Sequence, residues 1–149
     1  MVNINSDRIS MFDVDGTLIR WLFDISQEEY LALKDFEANN DGLLPDGYIE
    51  VENDRMGKIL LKENKEVTNL LKHQALAGAT VIVWSASGSD WADKITKALG
   101  LEKYVAITMS KPTWYNDDLH CSIWMGQWNK VGADGKFVPK IEIVEKVDD

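Results

Sequence analysis

The stretch from Ile9 to Leu18, ISMFDVDGTL, constrains this chain more than any other. It reads as a short buried strand that ends in two carboxylates, a glycine and a hydroxyl: Asp13, Asp15, Gly16 and Thr17. Carboxylates at the mouth of an apolar strand are costly to bury unless something cationic sits beside them. Side chains alternate along an extended backbone, so Asp13 and Asp15 fall on one side and can face a single ion. Gly16 permits a sharp turn whose amides can come close to an anion. A divalent cation with a phosphoryl group beside it accounts for every residue in the run. The simpler alternative is an acidic β-turn after a strand, for which Asp-Gly is a common signal.

A second anchor is the continuous apolar run Ala79 to Trp84, as expected of a central parallel strand, which breaks into Ser85-Ala86-Ser87-Gly88-Ser89. Ahead of it, Glu63 to Ala77 carries Val67, Leu70, Leu71 and Leu76 as an amphipathic helix ended by Gly78. After it, Ser89 or Asp90 can cap a helix bearing Trp91, Ile95, Ala98 and Leu99 that stops at Gly100, and Tyr104 to Thr108 follows as a short apolar strand. This alternation predicts βαβ units: an α/β fold with a mostly parallel sheet flanked by helices. Ligands bind beyond the carboxyl ends of such strands. Asp13 and Ser85 each end one, so a single rim should carry both.

Between these anchors, Leu18 to Ile25 reads as irregular. Ser26-Gln27-Glu28-Glu29 opens a helix to about Ala38, closed by Asn39 to Gly42. Tyr48–Glu52 and Met56–Leu61, joined by Asn53-Asp54-Arg55, read as a hairpin. Beyond Cys121, Gly132 to Gly135 reads as a hairpin turn, with Ile141 and Ile143 alternating after it as in an edge strand. No repeat, linker or low-complexity tract divides the chain, so residues 1–149 read as one domain, long enough for a substantial core.

Composition narrows the partners. A net charge of −9 argues against a surface that coats nucleic acid. It leaves room for a small phosphorylated substrate, because a metal ion and one lysine can invert the local field. The single cysteine, Cys121, excludes an intramolecular disulfide and fits a reducing compartment. There is neither a signal-peptide pattern nor an apolar run of membrane-spanning length, so a soluble cytoplasmic chain without a membrane partner is expected. His73 and His120 show no zinc-ligand spacing with Cys121. The six tryptophans, at 21, 84, 91, 114, 124 and 128, are read first as packing residues, with stacking on a substrate ring as the alternative.

A carboxylate that attacks phosphorus needs a cation, donors for the phosphoryl oxygens and a proton donor for the leaving group. Asp13 is the candidate nucleophile and metal ligand. Asp15 can protonate the leaving oxygen and later activate water. Ser85 can donate a hydrogen bond to the phosphate, and Lys111 can neutralise charge on nucleophile and phosphoryl group. Gly16, Thr17 and Ala86 complete the expected substrate contacts. Asp117 and Asp118 can complete an oxygen-only shell suited to Mg²⁺.

In this order, Asp13-Val14-Asp15-Gly16-Thr17, Ser85 after an apolar strand, Lys111 and Asp117-Asp118 resemble the four motifs of the haloacid dehalogenase-like superfamily. Val83 to Gly88, Ser110-Lys111-Pro112, Tyr115 to Leu119 and Trp124-Met125-Gly126 are similar to a compact subgroup often encoded by phages and bacteria. The resemblance covers most of residues 7 to 128. It implies a Rossmann-like parallel sheet, a phosphoaspartate on Asp13, and Mg²⁺ bound by Asp13, the Asp15 carbonyl and an acid of the fourth motif. It also implies a β-hairpin flap, for which residues 48 to 61 are suited. Residues 20 to 47 suit a small insertion, so that 20–62 form the insertion and flap region without a large cap.

Only a few residues separate Lys111 from Asp117, too few for a helix. Either Asp117 reaches the metal from a loop or the sheet is abbreviated. The choice between Asp117 and Asp118, and the strand order after Thr108, stay open. The function this resemblance implies is Mg²⁺-dependent hydrolysis of small phosphomonoesters, nucleotides among them, with both aspartates favouring phosphatase over dehalogenase chemistry. The alternatives are a phosphatase acting on nucleic-acid ends, which the net charge disfavours, and a non-catalytic binding or regulatory protein that keeps the fold.

Overall fold

The computed structural model describes residues 8–141 and 147. In chain order these form β1 (Ile9–Asp13), β2 (Ile19–Trp21), a 3₁₀ turn (Leu22–Asp24), α1 (Gln27–Asn39), β3 (Tyr48–Asn53) and β4 (Gly57–Glu63). Then follow α2 (Lys65–Leu76), β5 (Thr80–Ser85), α3 (Ser89–Ala98), β6 (Ile107–Ser110), a one-turn α4 (Cys121–Trp124), β7 (Lys130–Val131) and β8 (Phe137–Val138).

The chain is mixed α/β. Strands β1, β5 and β6 form a parallel sheet with β5 in the middle, paired through Asp13↔Trp84 and Ser85↔Ser110 at its carboxyl rim. β5 is central because its run is apolar on both faces, and Val81 and Val83 are fully buried. Helices α2 and α3, which precede and follow β5, stop in the same way. Gly78 (φ 97°) and Gly100 (φ 68°) take the left-handed conformation that ends a helix. The next residues reach back, Ala79 N–H donating to Gln74 O and Leu101 N–H to Thr96 O, both at 3.0 Å.

β2, β4 and β3 form a separate antiparallel sheet with β4 in the middle. Its hairpin closes where Asn53 Oδ1 accepts the amides of Arg55 and Met56 at 2.8 and 3.1 Å. α1 is capped by Ser26, whose Oγ accepts Glu29 N–H at 3.1 Å. Both sheets feed one core: Ile19, Val51 and Leu61 cluster with Val81, Val83, Ile95 and Leu101. Each such side chain contributes about 1.5–3 kcal/mol when fully buried.

Three sequence expectations are corrected here. Leu18–Ile25 is not irregular, because Ile19–Trp21 pairs with Leu61–Glu63 as an edge strand. The strand expected at Tyr104–Thr108 lies at Ile107–Ser110, since Tyr104 N–H closes a turn onto Leu101 O and pairing begins only at Ile82↔Ile107. Neither Ser89 nor Asp90 caps α3. Gly88 holds that position, and the Oγ of Ser110 on β6 accepts Ser89 N–H at 2.9 Å. The expected turn at Gly132–Gly135 does join two strands, the short pair β7–β8. Ile143 of the expected edge strand lies outside the described residues. Among the described residues no helix is long and apolar enough to cross a membrane.

Candidate active site

β1 and β5 end side by side, and the chain leaves β6 at Ser110 into Lys111 on the same rim. Lys111 N–H extends the ladder by donating to Ser85 O at 2.9 Å. Its ammonium then reaches across β5 to Asp13 Oδ1 at 3.0 Å, passing over the Trp84 ring at 6.0 Å from its centroid. Thr17 Oγ1 donates to the other oxygen, Asp13 Oδ2, at 3.1 Å. Phe12 and Val14 turn inward and are buried, which leaves Asp13 and Asp15 half-buried on the opposite side. For Phe12 and Asp13 this is the alternation that a strand imposes, while Val14 and Asp15 lie just beyond the end of β1.

The turn after β1 is tight. Val14 O accepts from Thr17 N–H at 3.1 Å and Leu18 N–H at 3.0 Å, and Gly16 N–H donates to Ile19 O at 3.0 Å. Gly16 (φ 79°) supplies the left-handed residue, and a Cβ there would meet no atom within 4 Å. The Gly16 and Thr17 amides are therefore hydrogen-bonded within the turn, and Thr17 faces Asp13 through its hydroxyl.

Ser85 is 1% exposed. Its Oγ accepts Ser87 N–H at 3.0 Å, which leaves its own proton to donate, and Ala86 beside it is exposed. Asp15 has partners that periodicity does not reveal. Trp91 Nε1–H donates to Asp15 Oδ1 at 3.0 Å, and Ser87 Oγ lies 3.4 Å from Oδ2. Trp91 sits where the apolar stripe of α3 puts a core residue, and it is 7% exposed. The direction of its N–H is set by packing between elements, so the sequence holds no signal for it.

Asp117 and Asp118 lie on the exposed segment between β6 and α4, where Asp117 Oδ1 accepts Leu119 N–H at 3.0 Å. Among the described residues no group of three or more His, Cys, Asp or Glu side chains is arranged to hold a metal ion. The donors at the rim are nonetheless of the right kind for Mg²⁺. Asp13 and Asp15 offer hard oxygens, and Mg²⁺ is commonly held by one or two carboxylates with waters and substrate phosphate completing its shell.

A cavity of about 280 Å³ lies elsewhere, lined by Arg20, Lys62, Lys65 and Asn64 among others. Two of its three lysines are paired, Lys62 with Glu29 and Lys65 with Asp46, and Arg20 donates to the carbonyls of Asp24 and Ala133. None of the expected site residues lines it. Asp13, Thr17, Ser85 and Lys111 are instead gathered at the open strand rim.

Searches of protein-family models, of curated proteins and of solved structures find no match to this chain.

Proposed function

We propose that this chain is a Mg²⁺-dependent phosphohydrolase of small phosphomonoesters, nucleotides among them, acting through a phosphoaspartate on Asp13. On this reading the parallel strands are the centre of a Rossmann-like frame of the haloacid dehalogenase-like type, with α1 and the β3–β4 hairpin as its small insertion and flap. The observation that carries it is the convergence of Asp13, Lys111, Thr17, Asp15 and Ser85 on one rim from three strand ends far apart in sequence.

Each group has a task. Lys111 and Thr17 hold the Asp13 carboxylate from opposite oxygens, which fixes its attack direction. Lys111 also offsets charge on the incoming phosphoryl oxygens, and the Ser85 hydroxyl donates to one of them. One Asp13 oxygen bonds to phosphorus while the ester P–O bond breaks. The leaving oxygen takes the proton of Asp15. Water then loses a proton to Asp15 and attacks phosphorus, releasing inorganic phosphate and restoring Asp13. Mg²⁺ would be held by the Asp13 carboxylate, the Asp15 carbonyl and either Asp117 or Asp118, and would supply charge neutralisation between nucleophile and phosphate.

One observation favours the non-catalytic reading: Asp117 and Asp118 are not gathered with Asp13 and Asp15 into a metal-holding cluster among the described residues. Phosphate release from a panel of phosphoesters and nucleotides decides between the two. Turnover that needs Mg²⁺, stops with EDTA and is lost in Asp13→Asn is expected. Turnover unchanged in Asp13→Asn overturns the mechanism, and a folded protein inert across the panel favours the binding role.

A further inference from the structure

Trp91 is a buried indole whose one polar atom points at a carboxylate of the proposed machinery. Its Nε1 is 3.0 Å from Asp15 Oδ1, across 76 residues of sequence. A buried indole N–H requires an acceptor, and a carbonyl of the core would meet that need without involving the site. Here the acceptor is the carboxylate expected to carry the proton.

The indole is fixed on several sides. It stacks on Trp21 with ring centroids 6.2 Å apart and planes 15° apart, and Trp21 stacks on Phe23 at 5.9 Å. It lies in the first turn of α3, whose leading amide is tied to β6 through Ser110. One turn along, Lys94 ties the same helix to the Glu52 carbonyl at 3.2 Å and the Asp54 carboxylate at 3.6 Å.

We propose that Trp91 is the positioning residue of Asp15, assigning its two oxygens different roles. An indole N–H donates and never accepts. Oδ1 must therefore stay an acceptor throughout, and the proton Asp15 gives and regains must sit on Oδ2. Ser87 Oγ, near Oδ2, can accept from the acid form and donate to the carboxylate. In the first step the Oδ2–H bond breaks as the leaving oxygen gains that proton. In the second a water O–H breaks and Oδ2 gains its proton, so the cycle closes with no other acid. Trp91 itself exchanges no proton.

This inference rests on the phosphohydrolase reading, and its test separates the two. Turnover of an alkyl phosphate, whose leaving group needs a proton, is compared with that of 4-nitrophenyl phosphate, whose leaving group needs none. Trp91→Phe keeps a ring in the stack and removes the N–H. It is expected to lower kcat/KM, which reads only the steps through departure of the leaving group, by about 10- to 100-fold for the alkyl ester and several-fold less for the nitrophenyl ester. Where Trp91→Phe does not fold, a benzothiophene analogue at position 91 keeps the bicyclic shape and removes only the N–H.

In ¹⁵N-labelled protein, the Trp91 indole resonance should move in Asp15→Asn while the other five tryptophan signals hold. Equal losses of kcat/KM on the two esters, or an indole signal indifferent to Asp15, overturn the positioning role while Asp13-dependent turnover keeps the function. Turnover that survives Asp13→Asn overturns both.

Discussion

The Lys111 ammonium lies 3.0 Å from Asp13 Oδ1, although the two residues leave strands at opposite edges of the parallel sheet. Register produces the meeting. Asp13 is level with Trp84 and Ser110 with Ser85, so the residue after β6 is the first that can reach back across β5. Lys111→Met leaves Asp13 without its countercharge. An expected fall in kcat of about 10²–10³-fold, read as phosphate release, follows from losing one preorganised electrostatic partner. Lys111→Arg should restore only part of the rate, because a planar fork replaces the compact ammonium that sits 3.0 Å from Asp13 Oδ1.

Asp117 and Asp118 are separable by their Mg²⁺ requirement. The acid that holds the metal should, as its Asn variant, raise the Mg²⁺ concentration for half-maximal turnover at least about tenfold, and the other should change it little. If neither does, the metal site of the proposed function does not include them. Titrating each variant with Mg²⁺ after EDTA treatment gives the answer.

Ser110→Ala removes the oxygen that accepts the first amide of α3. Loss of a cap costs about 1 kcal/mol, or about 2–4 °C in Tm for a chain of this size. Thermal unfolding followed by far-UV circular dichroism should show that shift. Ser89→Ala should not, because the Ser89 contribution is its backbone amide.

Leu61→Ala tests whether the antiparallel sheet shares its stability with the parallel one. Leu61 is fully buried in the common cluster, and emptying such a site costs about 2–5 kcal/mol. A single unfolding transition, moved to lower denaturant for both tryptophan fluorescence and far-UV signal, is the expected outcome. Two separated transitions would mean that the sheets unfold independently.

Tyr48 and Glu29 make stability depend on pH in opposite directions. Burial, together with the hydrogen bond it donates to Glu29 and the charge there, pushes the Tyr48 phenol from 10.0 up to about 12. Between those values the unfolded chain loses its phenolic proton while the native state keeps it. The contribution is therefore complete below pH 10 and lost as pH rises toward 12. For Glu29, burial pushes upward, but the hydrogen bonds from Lys62 and Tyr48 and the Lys62 charge outweigh it and hold the carboxyl below 4.5. Its contribution is present above that value and is lost as pH falls through the lowered one. Tyr48→Phe should cost about 1 kcal/mol at neutral pH, a gap that narrows above pH 10 in urea titrations.

Much of this architecture was legible in the chain. Strand alternation set Asp13 against the buried Phe12, and the apolar run before Ser85 marked the central strand. Gly78 and Gly100 marked the helix ends because only the left-handed backbone lets the last turns close. These are local consequences of sequence, set by sterics and by the period of each element.

Tertiary structure alone decided which distant groups meet. Ile19–Trp21 became a strand because β4 offered it an unpaired edge, and β6 began three residues later than its apolar run because its register is set by β5. The cap of α3 came from another strand, and the partner of Asp15 was a tryptophan that reads as core. Hydrogen-bond direction at such places depends on how whole elements pack. No period or spacing in the chain encodes the direction of the Trp91 N–H, so it became visible only with the fold.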